Sequence, residues 1–248
     1  MFRIFKKKLN NQKQKGMTLI ELLVALVIFS IITGVVLFNY GDFNASLTMQ
    51  NLADDIALTV RRAQSYAIGV RGRSGDFNIG YGVYFDITQY NSESPDADLY
   101  DGTNKSFILY KKYIPLDSGS SDFSPVYENE DGTCDGSNSD CLEMLYITSS
   151  DYISEIKVKP SGGGEQILGV EDNNPQGVNI LFIRPNPEPY ICVMDNNSFC
   201  WGSNVLSPSD KPSIEYVKIK ISSFKDLDSE KFITISNTGQ ISVSNQDD

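Results

Sequence analysis

The sequence predicts an α+β protein: a long N-terminal membrane-spanning helix continues into an amphipathic helix packed on an antiparallel, β-rich, sandwich-like domain. Three observations predict it. Residues 17–38 are apolar over a bilayer's width, residues 46–68 carry apolar side chains at three- and four-residue spacing, and from Gly80 onward short β-branched and aromatic runs alternate with turn clusters. The expected divisions are a basic leader at 1–16, a transmembrane helix at 17–40, an amphipathic helix half at 41–72, and a β-rich exported domain at 73–248 with insertions around 91–212.

The first element is defined by charge and length together. Residues 1–16 carry Arg3, Lys6, Lys7, Lys8, Lys13 and Lys15 and no acid, so the chain's net −11 leaves −17 on residues 17–248. A basic segment directly before an apolar run stays in the cytoplasm while the rest is exported. Met17–Phe38 has 22 residues, 17 of them apolar, and no A-x-A-like site follows it. That is too long for a secretory signal core and long enough for a membrane helix. Glu21 interrupts it, at a cost of about 2.5–3.5 kcal/mol if left unpaired at mid-membrane. Ala25, Ser30 and Gly34 are small enough to let neighbouring helices approach closely, and Gly34 is also a point where the helix can loosen.

In the second element, Leu52, Ile56, Val60, Ala63 and Ala67 recur three or four apart, and Gly69 is a helix stop. One long helix is expected, softened around Gly41. Arg61, Arg62, Arg71 and Arg73 form a basic cluster near its end. In so acidic a body this reads as charge compensation at a helix end and a solvated loop, before it reads as a contact with DNA or an acidic partner.

The third element is a series of expected strands: Gly82–Asp86, Phe107–Tyr113, Met144–Thr148, Ile153–Lys159, Val178–Arg184, Tyr190–Met194, Ile214–Ser222, Phe232–Ser236 and Gln240–Ser244. Pro160–Gly164 and Asn237-Thr238-Gly239 are breaks between them. Many short strands without intervening helices point to a sandwich or a strongly curved sheet.

Cys134, Cys141, Cys192 and Cys200 all fall on the exported side, where an even count suggests disulfides. Four cysteines permit three pairings, and the short separations favour Cys134–Cys141 and Cys192–Cys200. Metal ligation is disfavoured because neither pair has CxxC spacing and the chain contains no His. The loop Glu128–Glu143 is rich in carboxylates, with Asp131, Asp135 and Asp140 as calcium candidates. The EF-hand register fails there: Gly132 at the sixth position puts Tyr127 first, and Gly136 there puts Leu142 twelfth. No other cofactor is suggested, and no P-loop, GxSxG or HExxH is present, so an enzyme is not expected. Phe199 and Trp201 flank Cys200 and read as covered core aromatics, with an exposed contact patch as the alternative.

The string G-M-T-L-I-E-L-L-V-A-L, Gly16 to Leu26, resembles the processing site of class III prepilins of type IV pili and type II secretion pseudopili. The resemblance implies a pilin-like fold and cleavage by an inner-membrane prepilin peptidase between Gly16 and Met17, with N-methylation of Met17. It also implies that Glu21, the fifth residue after the cut, meets the new amine of a neighbouring subunit in a filament. Met17 departs from the phenylalanine more usual in that family. Expected partners are therefore the peptidase and other pilins, with an inner-membrane location before assembly and a periplasmic or extracellular filament after it.

A second resemblance is carried by Leu52–Gly72, Tyr81–Asp86 and the closing FITISNTGQISV. These look like the minor pseudopilins of the H class and their type IV pilus counterparts of the FimT class. A low-abundance structural subunit is implied. The alternative is a pilus-tip adhesin or DNA-uptake subunit, although the acidic C-terminus, ISVSNQDD, lacks the basic residues by which FimT-class proteins bind DNA.

Overall fold

The structure is a computed structural model that describes residues 16–69, 79–87, 104–114, 134, 140–168, 177–184, 186–194, 214–224 and 229–245, with Asn39, Asp42 and Met194 described by backbone alone. The chain divides into two units, Met1–Phe43 and Asn44–Asp248. Helix α1, Leu19–Ile68, contributes residues to both, and Gly34 and Gly41 lie within its bounds.

In the first unit every large apolar side chain from Met17 to Phe43 whose position is described is exposed, up to 89% at Phe38. Among the described residues, α1 is the one helix long and apolar enough to cross a membrane. Its hydroxyls are satisfied locally: Ser30 Oγ donates to the Leu26 carbonyl at 2.9 Å and Thr33 Oγ1 to that of Phe29 at 2.8 Å. A polar group that bonds its own helix backbone makes little demand on surroundings that cannot hydrogen-bond.

The second unit begins with the remainder of α1, whose buried face is Ala45, Met49, Ala53, Ile56, Ala57, Val60, Ala63 and Ala67. The spacing is that of one helical stripe, and the small side chains allow the backbone to sit close to its neighbours. Gly69 ends the helix, its N–H bonding the Ser65 carbonyl at 2.8 Å.

The strands are β1 Ile79–Asp86, β2 Ser106–Tyr113, β3 Cys141–Tyr146, β4 Asp151–Pro160, β5 Gln166–Ile167, β6 Gly177–Phe182, β7 Pro189–Met194, β8 Ile214–Ser223, β9 Glu230–Ser236 and β10 Ile241–Ser244. They form two five-stranded sheets, in the orders β3-β2-β1-β6-β7 and β10-β9-β8-β4-β5. All pairings described are antiparallel. Eight of these strands fall where the hydrophobic pattern puts them. The two-residue β5 is too short to register as a pattern. The strand expected at Met144–Thr148 instead runs from Cys141 to Tyr146. Its first residue, Cys141, is disulfide-bonded to Cys134, and just past its end the Ile147 N–H bonds the Lys105 carbonyl at 2.7 Å, in line with the Ser106–Tyr146 pairing.

One core joins α1 to the inner faces of both sheets, with Val83, Phe85, Leu109 and Ile180 from the first and Ile156, Val217, Ile219 and Ile235 from the second. The first sheet is buried on its other face too, where Ile108, Tyr110, Cys141, Leu181, Tyr190 and Cys192 form a separate cluster. That face depends on two glycines. Gly82 pairs directly with Tyr110 across β1 and β2, and a Cβ on it would come within 2.6 Å of the Tyr110 ring. Gly177, which pairs with Asp86, lies diagonally beneath Tyr84, and a Cβ on it would come within 2.7 Å of the Tyr84 hydroxyl. Each tyrosine lies over backbone that only glycine leaves open.

The outer face of the second sheet is polar. Lys157, Lys159, Lys218 and Lys220 each have a carboxylate within 4 Å, from Glu155, Glu215, Glu165 and Glu230 respectively. The two sheets thus differ in kind, one apolar on both faces and the other with one wet face.

Candidate functional site

The segment that carries the strongest motif starts as irregular chain and becomes helix at Leu19. Gly16, Met17 and Thr18 are non-helical and exposed. The Glu21 N–H bonds Thr18 Oγ1 at 3.3 Å, and the Thr18 N–H bonds Glu21 Oε2 at 3.5 Å. Thr18 is the N-cap and Glu21 the third helical residue, so the pair forms a capping box that satisfies two backbone donors reciprocally. The carboxylate also sits at the positive end of the helix dipole. T-x-x-E before an apolar run is the sequence signature of this box. Within its own chain Glu21 already has a partner.

Among the described residues nothing requires a glycine at position 16. A Cβ there would meet nothing within 4 Å, and its φ lies outside the left-handed region. The same open space surrounds Gly34, in a helix interior where glycine costs about 1 kcal/mol relative to alanine.

The arginine pair at the end of α1 is engaged within the chain. Arg62 Nη2 is 2.7 Å from Glu143 Oε2 on β3, and this hydrogen bond holds the guanidinium above its ordinary pKa. Arg62 also lies over the Tyr66 ring at 6.0 Å. Arg61 Nη2 donates to the Ile241 carbonyl on β10 at 3.3 Å. Adjacent residues thus reach an edge strand of each sheet. Arg71 and Arg73 lie outside the described residues.

Cys134 and Cys141 are disulfide-bonded with their Cα atoms 5.1 Å apart. Cys192 is also disulfide-bonded, and Cys200 lies outside the described residues, as do Phe199 and Trp201. Of the calcium candidates, Asp140 faces Lys112 at 3.6 Å, while Asp131 and Asp135 lie outside the described residues. Among the described residues no group of three or more His, Cys, Asp or Glu side chains is placed to hold a metal ion. Of the leader at 1–16, residues 1–15 are likewise outside them.

The family described as the prokaryotic N-terminal methylation motif matches residues 11–37. No curated protein matches the chain, and no solved structure does. The matched segment takes in the end of the basic leader, the Gly16–Met17 bond, the capping box and most of the apolar part of α1. It supports a type IV prepilin-like protein.

Proposed function

We propose that this chain is a minor pilin or pseudopilin, a structural subunit of a type IV pilus or a type II secretion pseudopilus. The observation that carries the reading is the coincidence, within residues 11–37, of the methylation motif, a non-helical and exposed Gly16–Met17 bond, and a helical segment whose large apolar side chains are exposed. Proteolysis needs extended backbone, and α1 begins two residues beyond the bond to be cut. The prepilin peptidase hydrolyses that bond, leaving a carboxylate on Gly16 and an amine on Met17, which is then methylated. A glycine that nothing among the described residues requires at position 16 is what recognition by an enzyme would explain.

Residues 17–40 hold the subunit in the inner membrane with its N-terminus in the cytoplasm, and the β-rich unit is exported. In the filament the Glu21 carboxylate faces the Met17 amine of a neighbouring subunit, since two charges costly in an apolar medium offset one another when paired. The sequence features shared with the H and FimT classes support a minor role near the filament tip. A DNA-uptake role draws little support: Arg61 and Arg62 are used within the chain, and residues 17–248 carry −17.

The test is Glu21→Gln in cells that hold the peptidase and a major pilin. Glutamine can still complete the capping box but carries no charge. The expected result is normal cleavage with loss from the sheared filament fraction; unchanged incorporation would contradict the amine–carboxylate account.

A further inference from the structure

We infer that the second unit carries a membrane-surface contact at the end where α1 enters it, made by Phe224, Tyr152 and Lys105. Its partner is the head-group region of the bilayer that holds residues 17–40, so the inference rests on the reading of that segment as membrane-spanning. Phe224 is the most exposed large apolar side chain among the described residues of this unit, at 64%. It is nevertheless held in place. Its ring stacks on that of Tyr152 with centroids 4.2 Å apart, and its N–H bonds the Ser150 carbonyl at 3.1 Å. Lys105 Nζ stands 5.9 Å from the centre of the Phe224 ring and donates to the Ser149 carbonyl at 2.8 Å. Tyr146, 55% exposed, pairs with Ser106, the residue after that lysine. An ordered aromatic group that the core does not use marks a contact surface.

Strand register puts this group at one particular end of the unit. Ser222 on β8 pairs with Tyr152 on one side and Glu230 on the other, and the residue after Glu230, Lys231, bonds Gln50 of α1 through its Nζ at 2.6 Å. The β9–β10 turn, at the opposite end, meets Gln64 further along α1. From Tyr40 to Gln50 the chain is continuous helix, about 15 Å long. Whatever the angle at which α1 leaves the bilayer, the Gln50 end is the one tethered nearest its surface, and the head-group zone adds about 5–8 Å of depth. The side chains suit that zone. Aromatic rings settle at the boundary between head groups and acyl chains, and a lysine beside them keeps its ammonium among the phosphates. Residues 17–248 carry −17, so a cation beside the rings favours approach to anionic head groups by this end. The contact docks the unit on the bilayer until assembly draws residues 17–40 out of it.

The test places a tryptophan at each end of the unit in the full-length chain, reconstituted alone in phosphatidylcholine vesicles with some phosphatidylglycerol. Phe224→Trp reports on the proposed contact. Tyr113→Trp reports on the far end, about 23 Å along β2 from Ser106, at a residue 60% exposed. Trp201 is the chain's single tryptophan, so the parent supplies the baseline for both. Each position is exposed, and unfolding midpoints equal to the parent's confirm that both variants fold. With lipid brominated near the head-group end of its acyl chains, the added Phe224→Trp emission should be blue-shifted and lose most of its intensity, while the added Tyr113→Trp emission keeps its own. Unquenched Phe224→Trp emission would overturn the inference, as would equal quenching at the two positions. Emission that shifts only when a major pilin is added would overturn it in favour of a neighbouring subunit as the occupant. A parent chain washed from membranes by alkaline carbonate would instead overturn the membrane-spanning reading beneath it.

Discussion

Gln64 and Gly239 lie 175 residues apart in sequence, and the Gln64 Nε2 donates to the Gly239 carbonyl at 3.2 Å. The same nitrogen donates to the Pro187 carbonyl at 2.9 Å. Gly239 turns the chain between β9 and β10, and Pro187 stands between β6 and β7, so one side chain near the end of α1 joins a turn from each sheet. The Gly239 N–H closes the turn on Ser236 at 2.9 Å with φ at +83°. Side chains rarely adopt that backbone, and a Cβ would also come within 2.8 Å of Gln64 Nε2. Gly239→Ala is expected to destabilise the chain by about 2–3 kcal/mol, and Gln64→Ala by about 1 kcal/mol. Denaturant unfolding of the detergent-solubilised chain measures both. Equal midpoints for Gly239→Ala and parent would show that the turn tolerates a side chain.

Two ion pairs should behave differently. Arg62 and Glu143 are 36% and 44% exposed, so water screens them, and Glu143→Gln should cost below about 1 kcal/mol and less in high salt. Lys218 is 5% exposed, sits opposite Lys157 in register, and has Glu165 Oε1 at 3.6 Å. That oxygen also accepts from the Tyr216 hydroxyl. Glu165→Gln leaves a buried ammonium without its carboxylate, and should cost about 1–2 kcal/mol once the 35% exposure of Glu165 is allowed for. The reverse ranking in unfolding measurements would contradict this assignment of burial.

Tyr110 makes the fold alkali-sensitive. Burial, then the nearby Asp140 carboxylate and Tyr84, raises its pKa well above the ordinary 10.0. Above that pH the unfolded chain releases the proton and the folded chain keeps it, so the unfolded state binds fewer protons and stability falls as pH rises. Below it both states are protonated and the effect vanishes. Titration followed by tyrosinate absorbance and circular dichroism should show one class of tyrosine ionising only as the sheets unfold. Gly82→Ala, which drives a methyl into the Tyr110 ring, should cost about 1–3 kcal/mol and bring that transition to lower pH.

The disulfide between Cys134 and Cys141, seven apart in sequence, belongs to the apolar cluster on the outer face of the first sheet. In the chain-entropy model it contributes about 2–3 kcal/mol. Its double serine variant should lower the unfolding midpoint accordingly. An unchanged midpoint would mean that the cluster around Tyr110 holds without it.

Much of this architecture was legible in local pattern. Ile56, Val60, Ala63 and Ala67 announce their helix face, and alternation in Ile219 and Ile221 announces a strand with one wet side. What local pattern could not supply was register. Gly82 reads as a generic weak point in a strand until Tyr110 is known to lie opposite it. Lys218 reads as a solvated lysine until Glu165 folds over it from the β4–β5 turn. The arginine cluster had the same ambiguity, and Arg61 and Arg62 resolve it by reaching β10 and β3. At the N-terminus the difficulty was of another kind. The T-x-x-E signature marks a cap, and a carboxylate in an apolar run equally suggests a partner in another subunit, so the same residue carries two signals.

The central claim is that the Gly16–Met17 bond is cut, and intact mass spectrometry of the membrane-extracted chain tests it most directly. The protein should be expressed with and without a prepilin peptidase. With the enzyme, the predicted species begins at Met17 and carries one methyl group on its terminal amine; without it, residues 1–16 remain. A chain that still begins at Met1 in the presence of an enzyme active on other prepilins would contradict the account.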